Sequence, residues 1–326
     1  MRMSPPGLFI LSIVGIALMT VSSLNGQPLV GFGPITGQND FFAFDIDPVT
    51  GAFAPIASIG PTFIACLKPA YDPVGRRLFV LESLQPVSLV TLELDSGAVT
   101  VRGTLTVDGF LEYSNITRKV YEVGNIGPGL NEVESIGPGP YDAQTVTPLQ
   151  GFFPESTALD DLGQRLFILG STQFAPTLYI VRLATGEIST APAVAVGPSF
   201  QLLWDWRGEK LYGVGGLLGE TGGSLFQIDP GTGVFTRLAQ LSSEKIVTAV
   251  FDPDRKRVYF TNFAGTLTTY DLATARSSTV TIERCCPALF VNSFAALSTP
   301  MLSGPALLAL VVALGVIGTR LATRMG

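Results

Sequence analysis

The sequence predicts an all-β protein: a six-bladed β-propeller of four-stranded antiparallel blades, closed by a blade that the two ends of the chain share. Three observations predict it. The stretch Tyr71-Asp72-Pro73-Val74-Gly75-Arg76-Arg77-Leu78-Phe79-Val80 returns four more times. Measured at Leu78, Val120, Leu166, Leu211 and Val258, the copies are spaced by 42, 46, 45 and 47 residues, and a strand-rich period in the forties marks radial β architecture. Finally, three strand-like runs near the N-terminus lack a first strand, and a run near the C-terminus has a first strand's pattern.

Each unit reads as strand, turn, strand. One residue after the reference position stands an aromatic (Phe79, Tyr121, Phe167, Tyr212, Tyr259), and one before it a base (Arg77, Lys119, Arg165, Lys210, Arg257). Six before it comes Asp72, Ser114, Asp160, Asp205 or Asp252, and seven before it Tyr71, Tyr113, Leu159, Trp204 or Phe251. The Asp accepts local backbone N–H bonds, while Gly or Pro sets the turn's φ. The constant offset matters, because a slip of one residue would turn every side chain to the other face. A second hairpin follows in each unit, around Asp45–Gly51, Asp95–Gly97, Ala184–Gly186, Asp229–Gly233 and Asp271–Thr274. Such a unit cannot cover both faces of its own sheet, so the units must stack around an axis.

In chain order, residues 1–26 read as a signal peptide. Arg2 precedes an apolar run from Leu8 to Val21, short for a membrane span of about 20 residues, and Ser22, Ser23 and Gly26 offer small residues for cleavage. Residues 28–298 form the expected propeller. Leu29–Phe32, Phe41–Phe44 and Ala52–Ile59 are strands two to four of the shared blade, and Val291–Ser298 is its expected first strand. The 109–150 unit is the least regular, with Ile126-Gly127-Pro128-Gly129 repeated as Ile136-Gly137-Pro138-Gly139. Gly213–Gly223 is the other irregular loop, and irregular loops on a rigid scaffold are where binding tends to sit. Residues 299–326 hold an uncharged stretch from Met301 to Thr319 followed by Arg320 and Arg324, the pattern of a transmembrane helix ending on the cytoplasmic side.

Two resemblances rest on these residues. Val258-Tyr259-Phe260-Thr261-Asn262, with Gly265 to Thr274 after it, resembles the YVTN-type β-propeller repeat. That resemblance implies a propeller and little about activity, since such repeats serve binding, structural and enzymatic roles. The tail, with Pro300-Met301-Leu302-Ser303 before an apolar helix and Arg, is similar to IPTL-type C-terminal sorting signals of Gram-negative bacteria. Pro300, Leu302 and Ser303 match; Thr299 and Met301 stand where the motif has Ile/Val and Thr. The similarity implies recognition by an exosortase-like membrane protease, and a plain tail anchor would use the same helix.

A net charge of −6 gives no attraction to nucleic acid. No His is present, which excludes Ser-His-Asp and Cys-His hydrolysis and any His-containing metal site; no metal or cofactor is expected. Asp45/Asp47 and Asp252/Asp254 lack the spaced oxygen ligands of an EF-hand loop and read as turn caps. Of the three cysteines, Cys66 is expected to begin the first strand of the first full blade, and Cys285 and Cys286 to lie in the crossover into the closing one. In a closed ring those places adjoin, so Cys66 is expected to bridge to Cys286 or Cys285; free thiols or a Cys285–Cys286 pair are the alternatives. Candidate ligand-binding residues are Glu122, Glu132 and Glu134, with Asp161 as a further carboxylate, and Trp206 as a sugar platform; Trp204 occupies the repeated packing position. The function expected is an exported, envelope-associated module, tied to the membrane by its C-terminal helix, that binds an extracellular protein, peptide or glycan. The alternatives are a carboxylate-based hydrolase or lyase acting on polysaccharide or lactone, and a structural surface-layer component.

Overall fold

The computed structural model describes residues 29–34, 40–60, 68–82, 87–104, 108–127, 130–137, 143–172, 175–282 and 288–291. The expected signal peptide, the tail with Pro300–Ser303, and Cys66, Cys285 and Cys286 lie outside the described residues. Among the described residues, 24 strands form six four-stranded antiparallel sheets. The protein is a six-bladed propeller.

The shared blade contains β1 (Leu29–Pro34), β2 (Phe41–Ile46) and β3 (Phe53–Gly60). Blade 2 is β4 (Ala70–Asp72), β5 (Arg77–Glu82), β6 (Ser88–Glu93) and β7 (Val99–Thr104). Blade 3 is β8 (Asp108–Tyr113), β9 (Val120–Gly127), β10 (Leu130–Ile136) and β11 (Ala143–Gln150), a meander whose pairing shifts register between Leu130 and Asn131 and between Val133 and Glu134. Blade 4 runs through β12 (Phe152–Asp160), β13 (Arg165–Thr172), β14 (Pro176–Arg182) and β15 (Ile188–Pro192). Blade 5 holds β16 (Gln201–Asp205), β17 (Lys210–Gly215), β18 (Gly223–Ile228) and β19 (Phe235–Ser242). Blade 6 holds β20 (Ile246–Asp252), β21 (Arg257–Asn262), β22 (Thr266–Asp271) and β23 (Arg276–Thr281), and β24 (Ala288–Val291) returns to the shared blade.

Closure comes from both chain ends, as expected, but with a different segment. β24 pairs with β1, Leu29 opposite Val291 and Phe32 opposite Ala288, whereas the sequence pattern pointed to Val291–Ser298, of which residues 292–298 lie outside the described residues. The register explains the choice. Val30 faces Phe290 as Leu78 faces Tyr71, so Phe290 fills the apolar position seven before the reference. The end of the run, Leu297-Ser298, is like Leu159-Asp160 in sequence, and that likeness drew the boundary late.

The repeat itself is a register statement. Leu78, Val120, Leu166, Leu211 and Val258 are the cross-strand partners of Tyr71, Tyr113, Leu159, Trp204 and Phe251. The aromatic after the reference position reaches the next blade. Phe79 stacks on Tyr113 at 5.2 Å, Phe167 meets Trp204 at 5.1 Å and Tyr212 meets Phe251 at 5.4 Å between ring centroids. Accordingly the six apolar clusters among the described residues sit between blades rather than within them; the one holding Leu29, Phe44, Tyr259 and Leu289 joins blade 6 to the shared blade. Apolar burial, at about 25 cal/mol per Å², therefore stabilises the ring and not the isolated sheet.

Alternating strand direction gives the ring two unlike faces. The turns after the first and third strands of every blade lie on one face, here the turn face. The second-to-third connections and the crossovers between blades lie on the other, here the crossover face. Leu29 and Val291 are paired at the turn-face end of the shared blade.

Candidate functional site

The turn face is a scaffold of hydrogen bonds. Asp72 Oδ1 accepts the N–H groups of Val74 and Gly75 at 3.0 and 2.8 Å, and its Oδ2 accepts Arg77 at 3.0 and 2.5 Å. Asp160 accepts Gly163 N–H and pairs with Arg165 in the same way. Asp205 takes its cation from the next blade, Lys256 at 2.6 Å, and Asp252 takes Arg255 at 2.9 Å. Two of the repeated bases, Arg77 and Arg165, are thus partners of the buried Asp opposite them. Blade 3 carries Ser114 in place of Asp, and Asp161 of blade 4 supplies the missing carboxylate. It accepts the Ser114 hydroxyl, and the N–H groups of Asn115 at 2.8 Å and Ile116 at 3.2 Å. Burial raises the Asp161 pKa against the pull of these donors.

Around the axis, innermost strands are sheet edges whose backbone groups need partners. Side chains of neighbouring blades provide them. Leu202 N–H donates to Ser156 Oγ at 2.7 Å, Ala249 N–H to Gln201 Oε1 at 2.8 Å, and Gln201 Nε2 to Val247 O at 3.2 Å. Lys68 pairs with Glu112 and donates to Thr157 O at 3.0 Å, tying together the inner strands of blades 3 and 4. These polar residues are occupied in holding the ring.

The crossover face carries a cavity of about 500 Å³ over blades 5 and 6, within the usual range for small-ligand sites. Four connections build it: Gly197–Ser199 before β16, Gly216–Gly222 after β17, Glu244–Ile246 at the start of β20, and Phe263 after β21. The glycine loop is shaped locally. Gly219 has φ +88°, a region L side chains rarely enter; Leu217 N–H donates to Glu220 Oε2 at 3.2 Å and Glu220 N–H to Leu217 O at 3.0 Å. Leu218 N–H is pinned to Ala195 O at 3.0 Å, and its side chain is 71% exposed at the rim. Phe263, 69% exposed, is held out by a turn in which Asn262 Oδ1 accepts Ala264 N–H at 3.1 Å and Thr266 N–H at 3.2 Å.

The charges of the cavity differ in kind. The Leu217 N–H and the Arg237 guanidinium hold the Glu220 carboxyl below its ordinary range. Glu244 and Lys245 are exposed and make no ion pair among the described residues. Among the described residues no group of three or more His, Cys, Asp or Glu is placed to hold a metal, and no helix is long and apolar enough to cross a membrane.

The residues singled out from sequence are dispersed. Glu122 is buried on β9, with Glu134 of β10 as its cross-strand partner and Glu132 opposite Gly124. Asp161 is engaged by the blade 3 turn, away from that strand pair. Trp206 is in the turn after β16, on the opposite face from the cavity, with Arg207 4.4 Å above its ring. Trp204 packs between Phe167 and Arg165, the packing place its repeat position assigned. Of the cavity, sequence reading singled out the glycine loop alone. Ser199, Glu244, Lys245 and Phe263 come from other connections, and nothing local marks them.

No family model and no curated protein matches the chain. Solved structures share its fold. A chain of a nidogen/laminin complex superposes with TM-score 0.63 at 13% identity, over 82% of this chain and all of that one. TolB from Acinetobacter baumannii gives 0.60 at 16% identity, over 81% of this chain and 66% of that one. A protein from Lactobacillus plantarum gives 0.53 at 15% identity, over 78% and 81%. At such identities the likeness concerns the fold, which hosts many unrelated functions.

Proposed function

We propose that the protein is an exported, envelope-associated binding module whose ligand site is the cavity over blades 5 and 6. The observation that carries this is the cavity's composition: glycine backbone, exposed Leu218 and Phe263 at the rim, and an acid and a base outside every ion pair among the described residues. That is the concave, mainly apolar surface with a few placed polar groups expected of a binding site. Extracellular proteins, peptides and glycans are the candidate ligands. A carboxylate hydrolase needs one carboxyl kept protonated beside one ionised. The Leu217 N–H and Arg237 hold Glu220 below its ordinary range, so it would not serve as the proton donor.

Export rests on residues 1–26, and membrane attachment or processing by an exosortase-like protease on residues 299–326. The Cys66 bridge to Cys286 or Cys285 belongs to the same proposal. Those cysteines lie in the connections leading to β4 and β24, whose Tyr71 and Phe290 rings are 5.5 Å apart. Cell fractionation with sequencing of both mature termini tests export: a cytosolic protein retaining Met1 overturns it. Non-reducing mass spectrometry tests the bridge, and a free Cys66 removes it. A ligand screen with Leu218→Ala and Phe263→Ala tests the cavity: every ligand bound equally by wild type and both variants sites the function elsewhere.

A further inference from the structure

We infer that the ligand of this cavity is a zwitterion bearing an apolar side chain, the chemistry of a free hydrophobic amino acid or a short hydrophobic peptide. The inference rests on the cavity being the ligand site. Three features of the lining point to it. Glu244 and Lys245 are adjacent, exposed and outside every ion pair among the described residues, whereas Glu220 is already neutralised by Arg237. The cavity therefore offers one negative and one positive charge side by side, neither held in an ion pair among the described residues. A ligand of either single charge would leave one of the two opposed by a like or an absent partner; a ligand carrying both satisfies both.

The second feature is the exposed pair Leu218 and Phe263 on two separate loops. Large apolar side chains held out by hydrogen-bonded turns lose apolar hydration when a ligand's hydrocarbon group comes between them. The third is what the lining lacks. Among the described residues it contains no Trp, Tyr, Asn, Gln or Arg. Sugar hydroxyl arrays are met by planar amides, guanidinium groups and large aromatic platforms, so a glycan finds little there. The bare backbone at Gly219, where nothing lies within 4 Å of the place a Cβ would take, suits an amide-bearing ligand, which can approach the main chain closely.

The test uses the full chain in detergent micelles and isothermal titration with defined probes: free leucine, free phenylalanine, the dipeptide Leu-Phe, and N-acetyl-Leu-Phe-amide. The zwitterions are expected to bind, and blocking both termini to weaken binding about a hundredfold, the loss of two charged contacts of about tenfold each. Glu244→Gln, Lys245→Met and Phe263→Ala are each expected to weaken the zwitterions about tenfold without moving the melting temperature, since all three side chains are exposed. Tighter binding of Leu-Phe than of leucine identifies a peptide site, and the reverse a free amino-acid site. Equal binding of the blocked and free dipeptides overturns the zwitterion. So does the absence of binding by all four probes, in wild type as in the variants. If in that case a glycan or protein from the wider screen binds and loses affinity in Leu218→Ala, the cavity stands as the ligand site and only the zwitterion falls.

Discussion

At the residue scale, Ala275 stands where the corresponding turns of the shared blade and blades 2, 4 and 5 have Gly51, Gly97, Gly186 and Gly233. All five are left-handed, with φ of 74°, 69°, 69° and 70° for the glycines and 53° for Ala275. An alanine Cβ is crowded in this region, at a cost of about 1 kcal/mol. Ala275→Gly should therefore stabilise the protein by about 1 kcal/mol, raising the melting temperature by roughly 2 °C; a scanning calorimetry trace with no upward shift refutes this. The converse change is blocked elsewhere, because a Cβ on Gly233 would lie 1.6 Å from Pro192 O of the preceding blade. Arg76, Arg118, Gln164, Glu209 and Lys256 are also left-handed, each just before the repeated base. In three blades the carbonyl so turned accepts the N–H of Leu94, Leu183 or Leu272 at 2.9 Å, binding the first turn of the blade to the second.

Two tyrosines give a pH signature at the same scale. Burial pushes the Tyr71 phenol up to about 12, and burial with the nearby Asp72 does the same for Tyr113. Their folded pKa values lie above the unfolded value of about 10, so folding favours the protonated phenol. Their contribution to stability is complete below pH 10 and is lost as pH rises through 12. Urea midpoints measured from pH 9 to 12 should fall, and the fall should flatten in Tyr71→Phe with Tyr113→Phe. An unchanged decline in that double variant would assign the effect to other groups.

At the element scale, the blade 3 turn borrows its carboxylate from blade 4. Asp161→Ala should leave the Ser114 hydroxyl and the Asn115 and Ile116 N–H groups short of an acceptor, costing about 2 kcal/mol. Ser114→Asp should restore part of that loss by giving the turn its own cap, as in the other units. Denaturant titration of the single and double variants checks both, and a double variant no more stable than Asp161→Ala alone counts against the borrowed cap. Here the sequence was legible in part. The Asp, the turn and the aromatic were readable from spacing. The partner of each base was not, because Arg77 and Arg165 pair across one hairpin while Asp205 draws on Lys256 of another blade, and identical spacing serves both arrangements.

At the scale of the whole molecule, the ring closes before the tail begins. β24 ends at Val291, so a chain cut near Pro300–Ser303 retains its closing strand. A version ending at Thr299 should melt like the full chain, whereas one ending at Pro287 should lose cooperative unfolding, since it exposes β1 and the inner strands beside it as open edges. A folded, cooperative product from the shorter version refutes closure by β24.

Periodicity alone determined the blade count, the strand order within each unit, the hairpin register and the sharing of one blade by both ends. These follow from local turn chemistry and from the two-residue alternation of a strand, which are written in consecutive residues. The tertiary structure decided which C-terminal residues close the ring, which blade supplies each ion-pair partner, and where the cavity lies. Ser199, Leu218, Lys245 and Phe263 belong to four separate connections with no spacing rule between them, and only the stacking of blades 5 and 6 around the axis brings them to one place.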